Sequence, residues 1–137
     1  MKNYLLKEST ASLKKNHILY EFQYGFRKGH STSHALIEIA DQIKLAIDDK
    51  ELICGIFLDL SKAFDTVDHK ILLSKLNNYG IRGPAFSLLK SYLTDRKQYV
   101  QIGKHKSEHL QINYGVPQGS VFGPLLFILY INNLYKA

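Results

Sequence analysis

Three aspartates follow one apolar run, and their spacing is the first sign of chemistry. Leu52 to Leu58 reads LICGIFL, six apolar residues and one Gly. A run of this length is short for a helix and fits a strand buried on both faces. Asp59 comes directly after it, and Asp65 and Asp68 follow on a short connection. A carboxylate at the end of a buried strand is costly to ionise unless something compensates it. A metal ion, a cation or the free N–H groups of a following helix would do so. Asp59 is therefore either a ligand for a hard cation or a helix cap. Asp65 and Asp68 read better as caps. Phe64, five residues after Asp59, is either core or the wall of a pocket.

Other chemistries lack their motifs. There is no CxxC and no HExxH, which argues against a protein zinc site. No G-x-x-x-x-G-K-[ST] phosphate loop is present, and GVPQGS follows a hairpin rather than a parallel strand. Ser61 and Ser120 lie outside any G-x-S-x-G elbow. His30 and His34 are four apart, and His105 and His109 flank a turn. All four read as surface histidines.

The elements that must position the aspartates can be read in order. Ser9 or Thr10 could cap a short helix reaching Lys15. Residues 23–33, QYGFRKGHSTS, read as a loop in which Ser31 or Thr32 caps the next helix. Leu36, Ile39, Ile43 and Ile47 share one face of that helix, which ends at Asp48–Asp49–Lys50. After the strand and the SKAFDTV connection, Asp68 caps a helix carrying Ile71, Leu72, Leu76 and Tyr79, with Gly80 as its stop. Pro84 suits the first turn of another helix, whose apolar side holds Leu88, Leu89, Tyr92 and Leu93. From Gln98 to Ile112 the period falls to two, with GKHKSE as the turn of a hairpin. NYGVPQGS is a loop, and Ser120 caps a last helix holding Leu125, Leu126, Ile128, Leu129 and Leu134, with Pro124 in its first turn. The order is α+β, with antiparallel pairing.

The chain has 137 residues, the size of one domain or part of one. Its net charge of +6 weakly favours a polyanionic partner. The cations are scattered, in short pairs such as Arg27–Lys28 and Arg96–Lys97. Cys54, the single cysteine, lies inside the apolar run and so reads as buried and inert. The opening MKNYLLKEST has no long apolar core and does not read as a signal peptide. No stretch reaches the ~20 apolar residues that cross a bilayer. These features imply an intracellular protein, cytoplasmic or nuclear, with no membrane partner.

Four blocks then carry a resemblance. QYGFRKGHSTSHAL, FLDLSKAFDTVDHKILLSKLNNYGIRG, SYLTDRKQYVQI and GVPQGSVFGPLLFILYINNL occur in this order. Together they resemble the reverse transcriptase domain of jockey-like non-LTR retrotransposons, over about residues 13 to 135. The resemblance implies an RNA-directed DNA polymerase of right-hand architecture. Residues 1–50 would be an N-terminal segment with a fingers-side helix, and residues 51–137 part of the palm. Asp59 matches the aspartate that holds both catalytic magnesium ions, assisted by the carbonyl of Leu60. Phe64 matches the aromatic under the sugar of the incoming nucleotide. Pro117, Gln118 and Gly119 match the loop that approaches nucleotide and template base. Arg27 and Lys28 are candidate contacts to nucleic-acid backbone. The implied partners are an RNA template, a DNA primer and a dNTP, with missing domain segments supplied in trans.

The sequence also departs from the family pattern. The Tyr/Phe-Ala-Asp-Asp hairpin, an upstream Arg-Pro-Ile-Ser segment and the thumb have no counterpart among these residues. Phe122 stands where Leu is usual, and Asn133 where Asp is common. Two magnesium ions need more than one carboxylate to hold them. The expectation is a truncated polymerase, inactive alone. The alternative is a non-catalytic remnant that binds RNA or protein.

Overall fold

The computed structural model describes residues 18–117, 119, 120 and 122–136. The helix expected near Ser9 to Lys15 lies outside the described residues. Helix α1 spans Thr32–Asp48, with Ser31 as its N-cap: Ser31 Oγ accepts from the His34 amide at 3.3 Å. Its C-terminus closes with two bonds, Glu51 N to Ala46 O and Lys50 N to Ile47 O. Such a pair requires a left-handed residue after the cap, usually glycine. Here it is Lys50, at φ 57°. No residue of α1 is buried, so the face holding Leu36, Ile39, Ile43 and Ile47 is open.

Helix α2 spans His69–Asn78 and α3 spans Gly83–Leu93. Asp68 caps α2, its Oδ1 accepting from the Lys70 and Ile71 amides at 2.7 and 3.0 Å. Gly80, at φ 79°, ends it, with Ile81 N donating to Leu76 O. Pro84 sits in the first turn of α3. Helix α4 spans Phe122–Ile131, and Ser120 Oγ accepts from the Gly123 amide at 2.9 Å. Leu134 lies beyond α4, in a short 3₁₀ turn at Leu134–Lys136.

Helix α4 is apolar nearly all round and largely buried; α2 packs on it and also on α3. Leu72 and Leu76 of α2, Leu89 and Leu93 of α3, and Leu126 and Leu129 of α4 form the core with Val67 and Val116.

The hairpin is present, but its turn is tighter than the sequence suggests. Strands β1 (Lys97–Gln98) and β4 (Leu110–Gln111) pair antiparallel, as do β2 (Gln101–Ile102) and β3 (His105–Lys106). The loop is thus Gly103–Lys104, with Gly103 at φ 59°. Between the two ladders, Tyr99 and Val100 oppose Ser107, Glu108 and His109, a bulge. Ser107 holds it: its amide donates to Val100 O and its Oγ accepts from Val100 N, each at 2.9 Å.

The expected buried strand is the main correction. Residues 51–60 pair with nothing among the described residues and are exposed throughout. Cys54, expected in a core, is exposed with them. An apolar run states a need for burial. Burial itself requires a partner surface, and none of the described elements supplies one here. The fold is mixed, helices with small antiparallel ladders, in line with the expected α+β class and its antiparallel pairing.

Candidate active site

Asp59 stands at the end of the exposed segment. It lines a cleft of about 620 Å³ with Leu60, Lys75, Phe127, Tyr130 and Asn133. Lys75 reaches this cleft from α2. Its Nζ donates to the carbonyl of Tyr130 and to Asn133 Oδ1. Burial pushes the Lys75 ammonium below the usual lysine range. No group of three or more His, Cys, Asp or Glu side chains gathers among the described residues. Asp59 is the one carboxylate residue lining this cleft and Lys75 lines it too, so these residues do not fit a two-magnesium centre. No step can be derived through such ions from these residues alone.

The sequence-distant loops at Phe64 and Pro117 do meet. The connection after Asp59 is a turn: Asp65 N and Thr66 N both donate to Lys62 O, and Lys62 takes φ 51°. The chain then runs antiparallel to residues 113–116. Val116 N donates to Phe64 O at 2.9 Å, Gly115 N to Val67 O at 2.8 Å, and His69 N to Asn113 O at 3.2 Å. Asp68 and Tyr114 form an isolated bridge. His69 adds a side-chain bond, its Nε2 lying 2.7 Å from Gly115 O. Val67 and Val116, both buried, anchor this clasp in the core.

Phe64 is half-buried, which joins the two readings of it. Its ring lies 4.5 Å from that of Phe127 and meets Phe26 edge-on at 5.7 Å. Pro117 lines a polar groove of about 520 Å³ with Asp65, Arg96, Gln98, Gln111 and Tyr114. Asp65 therefore shares a groove with Pro117, whereas Asp59 lines the other cleft. Asp65 caps no helix, contrary to expectation, because α2 begins after Asp68 and takes its cap there. Gln118 lies outside the described residues. Gly119 is exposed at φ 71°, with open space where a Cβ would stand.

Arg27 is half-buried, and its Nη1 donates to the carbonyls of Tyr20 and Glu21 at 3.0 and 2.9 Å. That guanidinium closes the 20–27 loop. Lys28 is exposed. The same loop is tied to the end of α4: Tyr20 N donates to Asn132 Oδ1, and Asn132 Nδ2 to Ile18 O. Of the four histidines read as surface residues, His34, His105 and His109 are exposed as expected. His30 is half-buried, 5.8 Å from the Tyr24 ring.

Two residues of the clasp escaped the sequence reading. Gly115 takes φ +84°, and a Cβ there would stand 3.1 Å from Asp65 O. His69 is buried. The only sequence signal was that both flank residues already singled out, Asp68 and Val116–Pro117.

Comparison with known proteins decides the family. A family profile described as "Reverse transcriptase (RNA-dependent DNA polymerase)" matches residues 3–137. This chain belongs to the reverse transcriptase family. It is 41% identical over 117 residues to the probable RNA-directed DNA polymerase from transposon BS of Drosophila melanogaster, covering 85% of this chain and 13% of that protein. It is 43% identical over 114 residues to the corresponding protein of the X-element of the same fly, covering 83% and 12%. The RNA-directed DNA polymerase from the mobile element jockey of D. melanogaster is 36% identical over 114 residues, covering 83% and 12%. The jockey-like resemblance is thus borne out. The chain spans 12 to 13% of the length of these relatives. No helix among the described residues is long and apolar enough to cross a membrane.

Proposed function

We propose that this reverse transcriptase chain forms the nucleotide-facing part of an RNA-directed DNA polymerase of a mobile element. Residues 1–50 belong to the fingers side and residues 51–137 to the palm. The observation that carries this is the clasp. It holds the turn at Phe64 against Val116, so that Asp65 and Pro117, on loops far apart in sequence, border one groove beside Phe64. Phe64 and the Pro117–Gln118–Gly119 loop face the sugar and base of a dNTP paired to an RNA template, beside the end of a DNA primer. Asp59 and the Leu60 carbonyl provide one edge of a magnesium site. Its other carboxylates come from segments outside this chain, within a longer polyprotein or in trans. Alone, the chain does not polymerise.

Photocrosslinking with 4-thio-dTTP tests the nucleotide reading. Labelled peptides should contain Phe64 or residues 117–119, and Phe64→Ala should reduce the yield. Labelling confined to other peptides overturns it. Primer extension with magnesium or manganese tests the second half. Templated incorporation that is abolished by Asp59→Asn would show that the chain is active alone.

The hairpin favours a second reading, non-catalytic binding of RNA. Lys97, Tyr99, Lys104 and Lys106 are all exposed on it, and Lys106 Nζ lies 5.4 Å from the Tyr99 ring centre. Cations beside an exposed aromatic suit single-stranded nucleic acid. An RNA mobility shift that weakens steeply with salt, without polymerisation, supports that reading.

A further inference from the structure

We propose that His69 is a positioning residue for the nucleotide side of this fold. Its imidazole holds the carbonyl of Gly115 and so fixes where Val116 and Pro117 lie against Phe64. The proposal rests on the nucleotide-facing function argued above, and its test separates the two.

His69 is 5% exposed and is the buried polar residue of the described core. It opens α2, directly after the Asp68 cap. A carbonyl oxygen can only accept, so at 2.7 Å the His69 Nε2 must carry the proton. The other bonds of the clasp run between backbone groups and make no demand on side-chain identity. The His69 bond is the side-chain contribution, and it is aimed at the residue where the clasp turns.

Both peptide groups that meet at Gly115 are held. Its amide donates to Val67 O and its carbonyl accepts from His69. Gly115, at φ +84°, has no side chain to limit rotation of the peptide groups on either side of it. An inward carbonyl without a partner turns toward water. That rotation would turn the Val116 N–H of the same peptide with it, and so break the Val116 bond to Phe64. A donor of fixed reach on the end of a packed helix prevents it. A residue that only filled space at this site would need no nitrogen.

The test uses the 137-residue chain. In the unaltered protein, the Nε2 proton of His69 should give a resolved imidazole resonance protected from solvent exchange. An unprotonated Nε2 overturns the proposal with no substitution made. His69→Phe keeps a ring and removes the donor, whereas His69→Gln keeps an N–H of similar reach. In H69F, amide exchange at Gly115 and Val116 should rise about tenfold while Leu72 and Leu76 stay unchanged. H69Q should restore the slow exchange. A uniform rise through α2, or H69Q no better than H69F, means that His69 only fills space and overturns the proposal. A fluorescent mant-dGTP titration adds the functional arm: H69F should bind about tenfold more weakly and H69Q should recover. Failure of the unaltered chain to bind mant-dGTP overturns the nucleotide role, and the exchange data still decide the clasp.

Discussion

Lys75 Nζ and Asn133 Oδ1 lie 2.9 Å apart, joining α2 to the chain just past α4. Lys75 also donates to the Tyr130 carbonyl, one of the last of α4, and so acts as a C-terminal cap supplied by another helix. Tyr79 Oη joins the cluster 3.4 Å from Asn133 Oδ1. Because the resemblance leads to an expectation of Asp at the position of Asn133, that exchange is informative. Asn133→Asp replaces an amide oxygen with a carboxylate against the ammonium. The pair is partly exposed, so the expected gain is modest, about 0.5–1 kcal/mol. Urea unfolding at low and high salt checks it. The gain should shrink as salt rises.

Lys75 also predicts an alkaline signature. Burial lowers its pKa in the folded chain from the ordinary 10.5. Between that lowered value and 10.5 the unfolded chain binds more protons than the folded one, so this group's contribution to stability rises with pH. The penalty is fully present below the lowered value. Lys75→Met removes the titration, and the stability difference between the two proteins should move in favour of the Lys75 chain as pH climbs toward 10.5. Denaturant titrations at a series of alkaline pH values measure it. A difference independent of pH would contradict the burial of this amine.

Two glycines with similar positive φ should respond differently to a methyl group. Gly115 has φ +84° and Asp65 backbone atoms 3.1 and 3.2 Å from its Cβ position. Gly119 has φ +71° and nothing within 4 Å. Gly119→Ala carries the left-handed penalty alone, about 1–2 kcal/mol. Gly115→Ala adds a clash with backbone that cannot rotate away, and should cost about 3 kcal/mol or more. Thermal and chemical unfolding of both variants provide the comparison. Equal losses would mean that the clasp opens freely.

The contrast shows where sequence is informative. Ser31, Asp68, Gly80, Pro84 and Ser120 each act on groups within a few residues, and each was legible because capping is local chemistry. The four-block resemblance was legible for another reason: side chains that border a shared site recur as motifs even when they are far apart. What was not legible depends on tertiary partners. The bond from His69 to Gly115 spans the whole of α2, α3 and the hairpin. The assignment of Asp65 to a cap failed because two carboxylates precede one helix start, and only the turn at Lys62 decides between them. The hairpin bulge depends on which residue opposes Val100, which alternation alone leaves open by one position.

The exposed run supplies the last prediction. Leu52, Ile56, Phe57 and Leu58 are each at least 80% exposed, and the cleft between this run and α1 is lined by Ile39, Ile43 and Ile53. So much contiguous apolar surface on an unpaired backbone is a template for association with another strand. The chain should self-associate with rising concentration, and Ile56→Lys with Phe57→Lys should suppress this. Light scattering measures the association. Because nothing described packs on these side chains, the double substitution should change folding stability by no more than about 0.5 kcal/mol per site. A loss of several kcal/mol would mean that the run is covered in solution, as its composition alone suggests. The two outcomes separate a strand that waits for a partner from one that already has it.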